Sequence, residues 1–188
     1  NICERMSMPG EFLDALQHYL PEADYIHFGF EENTSACLYK VYLEFYERIE
    51  ETIKNRPADE SRFLLHAGFK WDAITQRSQA LTNYYWYPWL SVREILEKAS
   101  GILETRPHGQ PLEAVREIVT LASKRTAASD ILYLEVTEEN NPRRSFDINM
   151  YNAHLQLGEL YPLLAKVYEY YSIPAEHFHA LYSSIKNR

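Results

Sequence analysis

Hydrophobic and polar residues alternate strictly along several short segments of this chain. In residues 25–45, YIHFGFEENTSACLYKVYLEF, apolar residues occupy every second position on both sides of a polar break. A period of two places successive side chains on opposite faces of a sheet. The segment is therefore predicted to be an antiparallel hairpin with one apolar face, which would pack against helices, and one polar face.

Two later parts of the chain repeat this pattern. Residues 61–73, SRFLLHAGFKWDA, alternate in the same way, and residues 76–91, QRSQALTNYYWYPWLS, are predicted to return as a second strand that ends at Pro88. Residues 130–152, DILYLEVTEENNPRRSFDINMYN, predict a third hairpin, with ENNP as its turn signal. The first and third hairpins share the letters EEN at the turn, which suggests an internal repeat.

The segments between the hairpins have helical periodicity. Apolar residues recur three and four positions apart, and prolines or a capping serine mark several of the predicted ends. The predicted helices cover residues 12–20, 46–56, 91–103, 111–125, 160–171 and 175–186. Residues 104–111, ETRPHGQP, are the best candidate for a flexible connection.

These elements predict an α+β fold in one domain that covers residues 1–188. About three helix–hairpin–helix units would form a mostly antiparallel sheet, which can curve strongly, with helices packed on one face. The sequence leaves open whether such a sheet closes into a barrel.

The predicted strands direct an unusual set of polar side chains to the other face of the sheet. Two interpretations stay open: the face is solvated, or it lines a cavity in which charged groups have shifted pKa values. The set is rich in histidine, tyrosine and carboxylates. Its members are His27, Glu31, Lys40, Tyr42, Glu44, His66, Lys70, Asp72, Tyr133, Glu135, Asp147 and Asn149.

Carboxylates and lysines on this face suggest catalytic and anion-binding roles. A carboxylate can act as a general base towards a phenol or an indole N–H, and the catalytic candidates are Glu31 and Asp72. Lysine ammonium groups neutralise phosphate or carboxylate groups, and the two strand lysines, Lys40 and Lys70, are candidates for that role.

Aromatic and remaining polar residues complete the predicted site. The faces of tyrosine rings can stabilise a cationic intermediate, and three tyrosines are candidates: Tyr42, Tyr85 and Tyr87. Further candidates for substrate binding are His66, Asp147 and Asn149. No cofactor is predicted, although two histidines and a carboxylate suit iron or zinc, so a divalent metal at His27 and His66 stays an option.

Composition excludes several classes of partner. The chain has 15 tyrosines among its 188 residues and a formal net charge of −8, which disfavours nucleic acids and anionic membranes because both attract basic surfaces. The cysteines, Cys3 and Cys37, do not suit a secreted disulfide framework, so a cytoplasmic location is expected. No apolar run approaches the length of a membrane span.

The series of helix–hairpin–helix units, with return strands such as LYKVYLEF and NYYWYPWLS leading into a helix, resembles the aromatic prenyltransferases built on the αββα barrel. The resemblance implies a polar lumen that holds an allylic diphosphate and an aromatic acceptor. It also implies that the two strand lysines hold the diphosphate, that the three tyrosines shield the allylic cation, and that Glu31 or Asp72 faces the acceptor. That family closes its barrel with more units than the three of this chain.

The sequence therefore supports two hypotheses about function. The first is a small-molecule enzyme with a polar, tyrosine-rich pocket, specifically a transferase that acts on an aromatic metabolite. The alternative is a non-catalytic binding or assembly protein that uses the aromatic segment 84–90, YYWYPWL, as an interface. A small-molecule substrate and a homo-oligomer are the expected partners, and substrate identity cannot be predicted.

Overall fold

The computed structural model describes residues 2–32, 37–55, 61–75, 79–103 and 110–185. The chain divides into two compact units: Asn1–Tyr87 with Leu134–Asp147, and Pro88–Tyr133 with Ile148–Arg188. The predicted turn of the first hairpin, at residues 33–36, and most of the predicted flexible connection lie outside the described residues. The single domain predicted over residues 1–188 stays a prediction.

Six strands form one antiparallel sheet in the order in which they occur in the chain. Their bounds are β1 Tyr25–Glu32, β2 Cys37–Glu44, β3 Phe63–Asp72, β4 Gln79–Trp86, β5 Leu132–Glu138 and β6 Asn141–Asn149. Among the described strands, β1 and β6 are the two edges of the sheet, so the sheet is not closed. The predicted α+β class and the three hairpins are confirmed.

Helices lie between the hairpins, as predicted. The described α-helices are α1 Ile2–Arg5, α2 Gly10–Tyr19, α3 Tyr46–Asn55, α4 Val92–Leu103, α5 Gln110–Ser123, α6 Leu157–Tyr170 and α7 Ala175–Ile185. Short 3-10 helices cover Leu20–Glu22, Ala128–Asp130 and Tyr151–Ala153. No helix in the described ranges has the length and hydrophobicity needed to cross a membrane.

The apolar face of β2 and β3 forms the core of the first unit. Trp71, Phe69 and Leu43 are almost completely buried there. Helix α2 packs on this face through Phe12, whose ring centroid lies 5.8 Å from that of Phe69 in an edge-to-face arrangement. The indole Nε1–H of Trp71 donates a hydrogen bond of 2.9 Å to the backbone carbonyl of Met6, which fixes the segment after α1 to the sheet.

The second unit has its own helical packing. Helix α4 packs on α5, α5 on α6 and α6 on α7. Ile95 and Ala99 of α4 are fully buried, and so is Val119 of α5. Lys166 Nζ and Glu117 Oε1 form an ion pair of 2.9 Å between α6 and α5.

Strand β1 departs from the predicted burial pattern. Its apolar positions pair with buried residues of β2, since Ile26 faces Leu43 and Phe28 faces Val41. Nevertheless, Ile26, Phe28 and Phe30 are 46%, 57% and 58% exposed. The expectation that the whole apolar face of this hairpin packs against helices is therefore wrong for β1, because the cover that buries β2 does not extend to the edge strand.

Candidate functional site

The strand register brings many of the predicted polar residues onto one face of the first unit. Lys40 of β2 lies opposite Lys70 of β3, and Glu44 lies opposite His66. On the other side of β2, His27 of β1 lies opposite Tyr42. We call this surface the polar face. It contains two clusters of side chains at different positions along the strands. The lysine group consists of Glu31, Lys40 and Lys70, and the histidine group consists of His27, Glu44 and His66.

Glu31 holds the lysine group together. Its Oε2 atom lies 2.8 Å from Lys40 Nζ and 3.5 Å from Lys70 Nζ. The hydrogen bond from Lys40 and the charge of Lys70 lower the pKa of Glu31, and the same hydrogen bond raises the pKa of Lys40. Glu31 is therefore an ionised partner of two ammonium groups, and its low pKa makes it a weak proton acceptor.

A cavity of about 310 Å³ opens on the polar face beside the lysine group. We call it the polar cavity. Residues from five strands, β2 to β6, line it, and both strand lysines are among them. The polar side chains in its lining include Lys40, Tyr42, Lys70, Gln79, Thr82, Tyr84, Glu138, Arg143 and Ser145. Three cationic side chains and two phenol rings therefore share one small cavity.

Gly68 gives the Tyr42 ring its place in this cavity. A Cβ atom at position 68 would lie 2.7 Å from Cε1 and 2.8 Å from Cδ1 of the Tyr42 ring. Non-bonded carbon atoms normally stay 3.5–4.0 Å apart. The ring can lie over the strand only because residue 68 has no side chain.

The histidine group is centred on one carboxylate oxygen. Oε2 of Glu44 lies 3.2 Å from Nε2 of His27 and 3.5 Å from Nε2 of His66. The ring of Tyr84 contacts the His66 ring edge-to-face, with centroids 5.7 Å apart. Burial, followed by the neighbouring Tyr42, raises the pKa of Tyr84 to about 12, so its hydroxyl remains protonated at neutral pH.

Burial lowers the pKa of His66 below its ordinary value, and the nearby Glu44 carboxylate only partly offsets this effect. In the unfolded chain this histidine titrates near pH 6.5. Between the two pKa values the unfolded state binds more protons, so the contribution of His66 to stability is present above pH 6.5 and is lost as the pH falls.

We expect His66→Asn to flatten the dependence of the free energy of unfolding on pH below 6.5, measured by urea unfolding. An unchanged slope would contradict a neutral His66 in the folded protein.

The histidine group does not extend to a metal-binding set within the described ranges. No group of three or more His, Cys, Asp or Glu side chains in those ranges is arranged to hold a metal ion. His27 and His66 both approach the same oxygen of Glu44. A divalent metal at the two histidines stays a prediction.

Asp72 lies at the end of β3 and is used by the turn that follows. It accepts hydrogen bonds from the backbone N–H groups of Ile74 and Thr75 and one of 2.5 Å from the Thr75 hydroxyl. These bonds, first of all the one from the Thr75 hydroxyl, lower the pKa of Asp72. The carboxylate of Asp72, the second catalytic candidate, thus stabilises a turn, and Asp72 is not among the residues that line the polar cavity.

Tyr85 and Tyr87 lie in a different cluster from Tyr42. Tyr85 is adjacent in β4 to Tyr84 and points to the opposite face, where Arg62 stacks over its ring at 4.3 Å. The Tyr87 hydroxyl donates a 3.2 Å hydrogen bond to Glu135, which also pairs with Arg144. Of the three tyrosines predicted to shield a cation, only Tyr42 lines the polar cavity.

Strand β5 also differs from the prediction. Glu135 pairs with Tyr85 and Val136 pairs with Tyr84, so Glu135 lies on the face opposite the polar face, and Tyr133 shares that orientation by alternation. Tyr133, Leu134 and Glu135 are all buried. Because both faces of this strand are covered, its alternation does not reveal which face belongs to the site.

The two candidates in β6 separate as well. Burial dominates the pKa of both His66 and Tyr84, and the charge of Asp147 makes a smaller contribution to each, which for His66 opposes the effect of burial. Asp147 therefore belongs with the histidine group. Asn149, at the end of β6, accepts a 3.1 Å hydrogen bond at Oδ1 from the backbone N–H of Tyr151. Asn149 therefore supports the start of the following 3-10 helix.

Sequence reasoning missed several residues of the polar cavity. Tyr84 directly precedes Tyr85, which is one of the predicted tyrosines. Its pairing with His66 places it on the polar face. Arg143 directly follows the letters ENNP, which predict the turn, yet β6 already begins at Asn141 and includes both Arg143 and Arg144. A strand through both arginines places them on opposite faces, which is the signal that could have identified Arg143.

The polar face thus combines a group of two lysines paired with Glu31, a tyrosine-lined cavity and a histidine–carboxylate group in one compact unit. No protein-family model, curated protein or solved structure matches this chain.

Proposed function

We propose that this chain is a small-molecule enzyme, a transferase that acts on an aromatic metabolite and takes the transferred group from a donor with a phosphate or diphosphate. The observation that carries the proposal is the polar cavity, in which Lys40, Lys70 and Arg143 lie beside the rings of Tyr42 and Tyr84. Cationic and aromatic groups in one concave site suit a ligand with an anionic end and an unsaturated or aromatic end.

The lysine group supplies the anion site. Glu31 already holds the two ammonium groups near one point, at 2.8 and 3.5 Å from its Oε2 atom. A phosphate oxygen can take the place of that carboxylate oxygen, because both are anionic acceptors of lysine hydrogen bonds. The volume of about 310 Å³ lies at the lower end of the range for small-molecule pockets, roughly 300–1,000 Å³.

The tyrosines and the histidine group supply the rest of the site. The rings of Tyr42 and Tyr84 lie 6.2 Å apart in an edge-to-face arrangement, and their faces can stabilise positive charge on the donor. His66 contacts Tyr84, and burial keeps the imidazole neutral at neutral pH. A neutral imidazole can accept the proton that an aromatic acceptor releases when a bond forms to its ring, and the Glu44 carboxylate would stabilise the resulting cation.

The alternative function, assembly through the aromatic segment 84–90, has weaker support. Trp86 is buried and stacks on Tyr46, with ring centroids 6.0 Å apart. Tyr85 lies under Arg62. Trp89 is exposed, but the buried and paired members of the segment do not offer the continuous aromatic surface that an interface needs.

Titration with inorganic diphosphate tests the anion site. We expect saturable binding by isothermal titration calorimetry, at least about tenfold weaker binding for Lys40→Ala combined with Lys70→Ala, and stronger binding for Glu31→Gln, which removes the competing carboxylate. Lys54→Ala is the matched control, because Lys54 pairs with Glu50 on helix α3 and does not line the polar cavity. Equal affinities for all four proteins, or no binding by the unmodified chain, would contradict the proposal.

A further inference from the structure

Strand β1 presents an unusual surface on the described part of the sheet. It is an edge strand, and its only described neighbour is β2. Three large apolar side chains on one face of it, Ile26, Phe28 and Phe30, are each about half exposed. We call them the edge ladder. Contiguous exposed apolar residues of this size usually mark a protein–protein contact.

Strand β1 has few of the features that normally protect an edge, because its only carboxylates are the two glutamates at its end. Its sequence, YIHFGFEE, contains no lysine and no proline. It pairs with β2 in unbroken register over all eight residues, from Tyr25 opposite Glu44 to Glu32 opposite Cys37, without a bulge. A regular edge strand of this length is a template for the addition of another strand.

We propose that the edge ladder binds a second copy of this chain, with the two β1 strands paired antiparallel about a two-fold axis at Phe28. In this register Phe28 lies opposite Phe28 of the partner subunit, and Ile26 lies opposite Phe30 of the partner subunit. The three cross-strand pairs that the edge ladder makes are then apolar.

The polar face of the strand is compatible with the same register. His27 faces Gly29 of the partner subunit, and Tyr25 faces Glu31 of the partner subunit, so no like charges lie opposite each other on this face. The like-charged residues Asp24 and Glu32 face each other only at the two ends of the pairing, beyond the edge ladder. The arrangement is self-complementary and uses the β1 edge of both copies. Pairing through β1 therefore ends at a dimer, which favours a second copy over an open chain of subunits.

The available area indicates a reversible dimer. Each edge-ladder side chain has roughly 100 Å² exposed, on the basis of side-chain areas of about 150–250 Å². Six such side chains supply about 600 Å², to which the two strand backbones add, so the interface falls below the roughly 1,200–2,000 Å² of standard complexes and in the range of weak, transient ones. Each copy carries a net charge of −8, so salt is expected to strengthen the dimer by screening the repulsion between copies.

Sedimentation velocity over a range of protein concentrations tests the dimer. We expect the unmodified chain to shift from monomer to dimer as concentration rises, and Phe28→Lys to remain monomeric, because an edge lysine opposes strand pairing. Ile74→Lys is the matched control, since Ile74 is 77% exposed but lies outside β1. A monomer at all concentrations, or identical behaviour of both variants and the unmodified chain, would overturn the proposal.

Cross-linking tests the register without relying on the lysine variant. In a Cys37→Ser background, where the remaining native thiol of Cys3 is buried, Phe28→Cys should form a disulfide-linked dimer on mild oxidation. Residues directly opposite each other in an antiparallel pair have Cα atoms about 4.5–5.5 Å apart, which suits a disulfide. Ile74→Cys in the same background is the control. Cross-linking no faster at position 28 than at position 74 would overturn the proposed pairing.

Discussion

Replacement of Trp71 by alanine is expected to lower the free energy of unfolding by about 3–5 kcal/mol. Trp71 has no exposed surface in the core of the first unit. Its ring packs against that of Tyr39, with centroids 5.8 Å apart, and its Nε1–H donates a 2.9 Å hydrogen bond to the carbonyl of Met6. The substitution removes an indole from a close-packed site and also leaves that carbonyl without this donor. Urea unfolding followed by circular dichroism measures the loss.

Trp89→Ala is the matched control for this prediction. Trp89 is 44% exposed, so removal of its ring costs less burial, and a loss well below that of Trp71→Ala is expected. Comparable losses for the two variants would show that Trp71 does not anchor the core of the first unit.

The fold could be predicted from the sequence because its hairpins alternate over long segments. In β3, Leu65, Ala67 and Phe69 are buried at every second position, as the pattern predicts. Each strand also pairs with its neighbour in the chain, so the order of the strands in the sheet required no long-range information. Local sequence patterns were therefore sufficient to predict both the strands and their order in the sheet.

Residues of the site could be predicted from the sequence only where the face on which a side chain lies does not depend on the exact pairing of neighbouring strands. Lys40 and Lys70 share a face in any register that keeps the apolar residues of β2 and β3 together. On the next pair of strands, however, His66 lies opposite Tyr84 and Gly68 lies opposite Thr82, so Tyr84 rather than Tyr85 joins the polar face. The tyrosines of this segment are adjacent in the chain, so alternation alone does not show which of them faces His66, and the pairing of β3 with β4 decides it.

Burial depends on neighbours that alternation does not specify. The apolar residues of β1 and β2 follow the same pattern, yet Val41 is buried and Phe28 is mostly exposed. The difference arises because β2 is an interior strand and β1 is an edge. The role of Asp72 could not be predicted for a similar reason. Alternation places it with the polar residues of the sheet, but its carboxylate accepts hydrogen bonds from the turn residues Ile74 and Thr75.

Gly68→Ala is expected to destabilise the protein by about 1–3 kcal/mol and to disturb the polar cavity, which is the effect of excess volume at a well-packed position. The new methyl group would lie 2.7 Å from the Tyr42 ring, so the ring must move away from the strand. Tyr42 also helps to raise the pKa of Tyr84 to about 12, so its displacement should lower that pKa. Urea unfolding measures the first effect, and NMR titration of labelled tyrosine, assigned with Tyr84→Phe, measures the second.

Gly29→Ala is a closely matched control, because Gly29 is also a strand glycine on the polar face. A Cβ atom there would lie 3.2 Å from Cβ of Lys40, so a shift of a few tenths of an ångström accommodates it. Alanine also has less backbone freedom to lose on folding, which offsets part of that cost, and a change of less than about 1 kcal/mol is expected. If the two variants lose the same stability and the pKa of Tyr84 is unchanged in both, the Tyr42 ring does not lie on Gly68. In that case the polar cavity does not have the tyrosine wall on which the proposed transferase site depends.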